Sequence, residues 1–170
     1  GAAAAQETPT PPAGPYFLIR VWPDLLLKYD LSSDTVVSRV RFQEGVAHST
    51  QLAFDRRHYL AVTGKKGYVE VIDTETMSVV DSHRFVEEGF IIRVEQVLET
   101  PERTHWYVRV SRIANKVDHY VIEKPQWLYY DLAQRHVDRR FDELPRPISR
   151  GARISPCGTR WHVFADDLLI

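Results

Sequence analysis

From Tyr16 onward the chain is a succession of short apolar runs, each broken after a few residues by a polar turn. One phrase of this pattern occurs three times. Strand formers lead to an aromatic or aliphatic residue, then an Asp, a polar turn and a second strand. The copies are 25–42 (LLLKYDLSSDTVVSRVRF), 68–85 (YVEVIDTETMSVVDSHRF) and 126–141 (QWLYYDLAQRHVDRRF). The Asp falls at Asp30, Asp73 and Asp131, at spacings of 43 and 58 residues. A second landmark, an apolar strand, a tight turn and another strand, precedes each phrase. It aligns Phe54, Val97 and Ile154, at spacings of 43 and 57. Tyr68 to Ile72 are β-branched and aromatic, as a strand requires. An Asp at the first turn position accepts a backbone N–H two residues on, so the recurring Asp reads as a turn former.

Each unit therefore parses as four strands, A to D. In the second unit these are about 49–54, 58–63, 67–72 and 77–85, with a glycine-flanked turn, Gly64-Lys65-Lys66-Gly67, between B and C. The third unit is longer by about fifteen residues. Its surplus lies around Asn115 to Gln126, read as a loop or a long hairpin tip. A period of about 40–45 residues with four strands per unit is the mark of a β-propeller. The expected fold is all-β: four-stranded antiparallel blades at 16–42 (partial), 49–85, 90–143 and 150–170 (partial), after a flexible tail at 1–15. The first unit lacks its A strand. The fourth is expected to stop after its B strand, leaving Trp161, Val163 and Phe164 without a C-strand partner. Three to three and a half blades read as a fragment of a larger ring. Its exposed edges favour self-association.

Bulk properties narrow the functional classes. With 44% hydrophobic residues the chain can bury a core, and no run of about eighteen apolar residues exists to span a membrane. Net charge is −1, which offers no electrostatic case for nucleic acid. The Ala- and Pro-rich start resembles the segment left on a mature chain after signal-peptide cleavage, so a periplasmic or secreted location is expected. Cys157 is the single cysteine, in the turn Ser155-Pro156-Cys157-Gly158, and reads as a turn residue.

No motif of a hydrolase nucleophile, zinc protease, redox dithiol or nucleotide loop is present. His58, His105 and His162 fall at comparable places in successive B strands, and read as half-exposed strand surface rather than metal ligands. Trp22, Trp106, Trp127 and Trp161 read as packing between blades. No metal centre and no cofactor is read from the sequence. The candidate binding residues lie on the D–A and B–C loops, where display does not disturb the sheets: His48, Lys65, Lys66, Glu88, Arg112 and Arg150. The expected partner is a protein or a small polar ligand.

Two stretches resemble bacterial YVTN-type β-propeller repeats, which are related in shape to the WD40 group. Ala152 to Arg160 (ARISPCGTR) is similar to the first part of such a unit, with Cys157 at the usual Asp. Tyr68 to Val80 (YVEVIDTETMSVV) is similar to the second part. The third unit departs at its A–B turn, Glu99-Thr100-Pro101-Glu102, and the Gly-His and Trp-Asp pairs of WD40 repeats are missing. The resemblance bears on the fold; the missing catalytic motifs and the loop-rich face are what read as a non-enzymatic binding or scaffolding domain. The alternative that the resemblance leaves is part of a lactonase-like hydrolase or a quinoprotein dehydrogenase-type subunit, with a site on blades outside this chain.

Overall fold

The computed structural model describes residues 15–63 and 67–144, and the backbone of four short strands beyond them. Among the described residues every element is an antiparallel strand. Among the described residues no helix is long and apolar enough to cross a membrane. The first sheet has β1 (Tyr16–Val21), β2 (Leu25–Asp30) and β3 (Thr35–Arg41) in sequential order. The second is a four-stranded meander of β4 (Ser49–Leu52), β5 (His58–Thr63), β6 (Tyr68–Asp73) and β7 (Ser78–Arg84). The third holds β8 (Phe90–Glu99), β9 (His105–Asn115), β10 (Tyr120–Ile122), β11 (Gln126–Asp131) and β12 (His136–Phe141). Each is a blade of the propeller type.

The recurring Asp does what its chemistry dictates. Ser32 N–H donates to Asp30 Oδ1 at 2.8 Å, Glu75 N–H to Asp73 Oδ1 at 2.8 Å, and Gln134 N–H to Asp131 Oδ1 at 2.7 Å. Four residues after each Asp the backbone turns left-handed, at Asp34 (φ 56°), Met77 (50°) and Arg135 (56°), which launches the D strand. Every D strand then carries one bulged residue, because its register against C shifts by one. The unopposed residue is Val37, Val80 or Asp138.

The middle sheet is buried on both faces because its strands alternate. Tyr59 and Ala61 of β5 face Leu26, Phe42 and Ala47 of the first unit. Leu60 and Val62 face a larger cluster with Val94, Val97, Trp106, Val108 and Leu128 of the third sheet. Fully burying a side chain such as Leu60 (1% exposed) is worth about 1.5–3 kcal/mol. Polar bonds stitch the same interfaces: Lys28 Nζ donates to Thr74 O at 2.8 Å and lies 4.3 Å over the Tyr16 ring. The opposite side of β1 leaves Phe17, Ile19 and Val21 exposed.

The surplus at 115–126 takes the hairpin form of the two expected, since β10 folds back on the extended end of β9 as a fifth strand. Three expectations need revision. Arg112, expected in a loop, lies inside β9. Trp106 and Trp127 are buried, but Trp22 is 80% exposed in the turn after β1. In the last unit β13 (Arg153–Ile154) pairs with β14 (Trp161–His162), and β15 (Phe164–Ala165) pairs with β16 (Leu168–Leu169). Phe164 thus has a partner strand, because two short apolar runs this close in sequence pair with each other as a hairpin. Cys157, Val163 and the expected tail, save Pro15, lie outside the described residues.

Candidate functional site

Strand direction places the A start, B end, C start and D end of each blade at one end of the sheets. His48, Glu88 and Arg112 all belong to this end. His48 is exposed, and its Nε2 lies 3.4 Å from Glu95 O. Glu88 is exposed in the turn before β8. Arg112 is engaged: Nη1 donates to Glu87 Oε1 at 2.8 Å, Nε and Nη2 donate to Glu123 Oε2, and the guanidinium lies 4.8 Å over Phe90. Arg140 donates to the other oxygen of Glu87 at 2.9 Å. Burial pushes the Glu87 carboxyl up, and the two arginines outweigh it and hold it low. Lys65, Lys66 and Arg150 lie outside the described residues.

Beside this ion network a crevice of about 350 Å3 opens between the second and third sheets. Its lining includes Glu44, Tyr68, Arg84, Phe85, Phe90 and Ile92. Local rules explain its walls. Gly67 adopts φ +70°, and a Cβ there would lie 2.8 Å from Phe85 O and 3.0 Å from Ile92 O, so the backbone at Gly67 lies directly against both neighbours. Tyr68 and Arg84 are cross-strand partners, and the Arg84 guanidinium lies 5.5 Å over the Tyr68 ring. Glu44 is placed by the buried Glu70, whose Oε1 accepts the N–H groups of Gln43 (2.8 Å) and Glu44 (3.1 Å). Sequence reading misses Tyr68, Arg84 and Phe90, because strand-end residues of two different blades form the crevice.

The opposite end of the same interface holds a second crevice of about 300 Å3, lined by Asp55, His58, His83, Glu99, Arg103 and Trp106 among others. Its titratable groups are mostly bound to structure. His83 sits edge-on to Trp106 (4.7 Å) and Tyr130 (5.6 Å), and burial holds it below its ordinary value. Its neighbour Asp81 is bound by Arg135 at 2.6 Å from the third sheet. Glu99 accepts Phe54 N–H at 2.8 Å, and burial pushes its carboxyl up. These groups clamp one blade to the next.

A third arrangement could hold a metal ion. His105, Asp131 and Asp138 bring one ligand atom each within 4.8 Å of one another, with His136 against Asp138. From sequence, His105 reads as repeat surface and Asp131 as a turn former. Asp131 serves the turn through Oδ1, while its Oδ2 faces His105.

No protein-family model matches the chain, and no curated protein matches it. Among solved structures it is similar to Kuenenia stuttgartiensis hydrazine synthase at 14% identity, covering 75% of this chain and 36% of that one, with a TM-score of 0.48. A functionally unknown protein from Desulfotomaculum acetoxidans is 11% identical over 82% of this chain and 39% of its own, with a TM-score of 0.49. The dihydro-heme d1 dehydrogenase NirN is 13% identical over 70% of this chain and 23% of its own, with a TM-score of 0.47. The chain thus spans less than two-fifths of the length of each of these structures.

Proposed function

We propose that the chain is a non-enzymatic binding module built of YVTN-type blades. It takes a peptide or small polar ligand at the loop end, in the crevice between the second and third sheets. One observation carries this reading. Arg84 has no carboxylate partner among the described residues and stands over Tyr68 beside an apolar wall of Phe85, Phe90 and Ile92. A guanidinium held on an aromatic face is primed for a carboxylate, and the wall beside it suits an apolar side chain. Arg112, by contrast, is neutralised by Glu87 and Glu123, and its role is to steady Phe90. A periplasmic or secreted location goes with the YVTN-type reading, and fractionation of cells producing the tagged full-length protein would reveal it in the cytosol if that is wrong.

The test is calorimetric titration with short peptides that end in an apolar residue with a free carboxylate. Removing a charge-assisted bond costs about 1.5–3 kcal/mol, so Arg84→Ala should weaken binding by about ten- to a hundredfold. Peptides that fail to bind the wild-type protein, or that bind R84A equally well, would refute the proposal.

A further inference from the structure

The second and third blades share a backbone plan, and the third departs from it at one spot. Across each blade a single row of cross-strand neighbours joins the start of B, the recurring Asp and the start of D. In the second blade the row is His58, Asp73 and Ser78, followed by the bulged Val80. In the third it is His105, Asp131 and His136, followed by the bulged Asp138. Residues in one row project from the same face of a sheet. Arg57 binds Asp73 at 2.6 and 2.8 Å in the second blade, whereas Thr104 stands at the corresponding place in the third. The third blade has therefore lost a permanent cation and gained a carboxylate and a second imidazole. Among the described residues no lysine or arginine is ion-paired with Asp131 or Asp138.

We propose that His105, Asp131 and Asp138 form a binding site for one divalent transition-metal ion, with zinc the best fit. Zinc bonds to imidazole nitrogen and carboxylate oxygen of about 2.0–2.1 Å, arranged tetrahedrally, place neighbouring donor atoms about 3.3 Å apart. His105 Nε2 lies 2.9 Å from Asp138 Oδ2 and 3.6 Å from Asp131 Oδ2, which brackets that spacing. The surroundings orient these donors. Thr104 Oγ1 lies 2.9 Å from His105 Nδ1, on the side away from the carboxylates. The Tyr129 ring stacks on the His105 imidazole at 4.3 Å with 5° between planes, which restrains its rotation. His136 Nε2 lies 2.5 Å from Asp138 Oδ1, the place of a group that steadies a ligating carboxylate. Imidazole with carboxylate suits zinc better than calcium or magnesium, which favour all-oxygen sets. The side chains of His105 and Asp138 are 18% and 29% exposed, so water can complete the coordination.

The test is calorimetric titration of the chelator-stripped protein with zinc chloride. One equivalent should bind. His105→Gln and Asp138→Val should each weaken it at least tenfold, and His58→Gln should leave it unchanged. D138V installs the residue that the second blade carries at the same bulge, so the sheet should tolerate it. A measurement on the wild-type protein runs in parallel: zinc should move the Nε2 nitrogen resonance of His105 and leave that of His58 in place. No stoichiometric zinc binding, binding that survives both H105Q and D138V, or an unmoved His105 resonance would each overturn the proposal.

Discussion

Replacing Asp73 with asparagine tests whether the recurring Asp stabilises the fold electrostatically as well as by shape. Asp73 is buried, at 4% exposure. Its Oδ1 accepts the N–H groups of Glu75 and Thr76 at 2.8 and 3.0 Å, and its Oδ2 accepts Arg57 Nε and Nη2 at 2.8 and 2.6 Å. Burial alone would raise the carboxyl. The Thr76 N–H, the Arg57 guanidinium and the Glu75 N–H outweigh it and hold it at about 2, against an ordinary 3.8. That difference corresponds to about 2 kcal/mol of stability at neutral pH. The Arg57 side chain is 51% exposed, so solvent and salt screen part of it. Asparagine keeps an acceptor for the turn but sets an amide against the guanidinium. Asp73→Asn should therefore lose roughly 1–2 kcal/mol at pH 7 in low salt. The sign with pH comes from a lowered carboxyl. The contribution is complete above about pH 4 and fades as pH falls towards 2, so wild type and D73N should converge there. Urea unfolding read by the fluorescence of the buried Trp106 and Trp127 measures both quantities. A loss under about 0.5 kcal/mol, or a gap as wide at pH 2 as at pH 5, would refute the reasoning.

Two other buried positions give outcomes of opposite sign. Glu99→Gln keeps an acceptor for Phe54 N–H and removes a buried charge. Because burial raises the Glu99 carboxyl, its cost grows as pH rises above its ordinary 4.5, so E99Q should be more stable than wild type at pH 7 and flatter with pH in thermal unfolding. Gly67→Ala sets a Cβ at positive φ and 2.8 Å from Phe85 O, and should cost more than about 1 kcal/mol in the same urea assay.

Local chemistry makes much of the fold legible from sequence. The recurring Asp, the glycine-flanked turn and the β-branched runs act within a few residues of themselves, so their spacing is enough to place the strands of the second sheet. The resemblance of Tyr68–Val80 to a propeller unit rests on the same local rules. What escapes a sequence is everything that depends on which strands lie side by side. A predicted strand position assigns Trp22 to packing between blades, yet it falls in the turn after β1, where it is 80% exposed. At 115–126 the sequence leaves loop and hairpin tip both open, and the overhang of β9 decides for the hairpin by pairing with β10. The crevice at Arg84 needs Gly67 and Ile92 of two blades to meet. The His105, Asp131 and Asp138 cluster is the clearest case. Period-two alternation puts Asp138 on the face of His136, but the bulge leaves it with no opposite residue in β11, and only the pairing of β9, β11 and β12 sets it 2.9 Å from His105. The sequence alone determined the repeating unit, through interactions that close within one turn. The tertiary structure decided which units touch and which side chains meet, because those distances depend on register and on the packing of one sheet against the next.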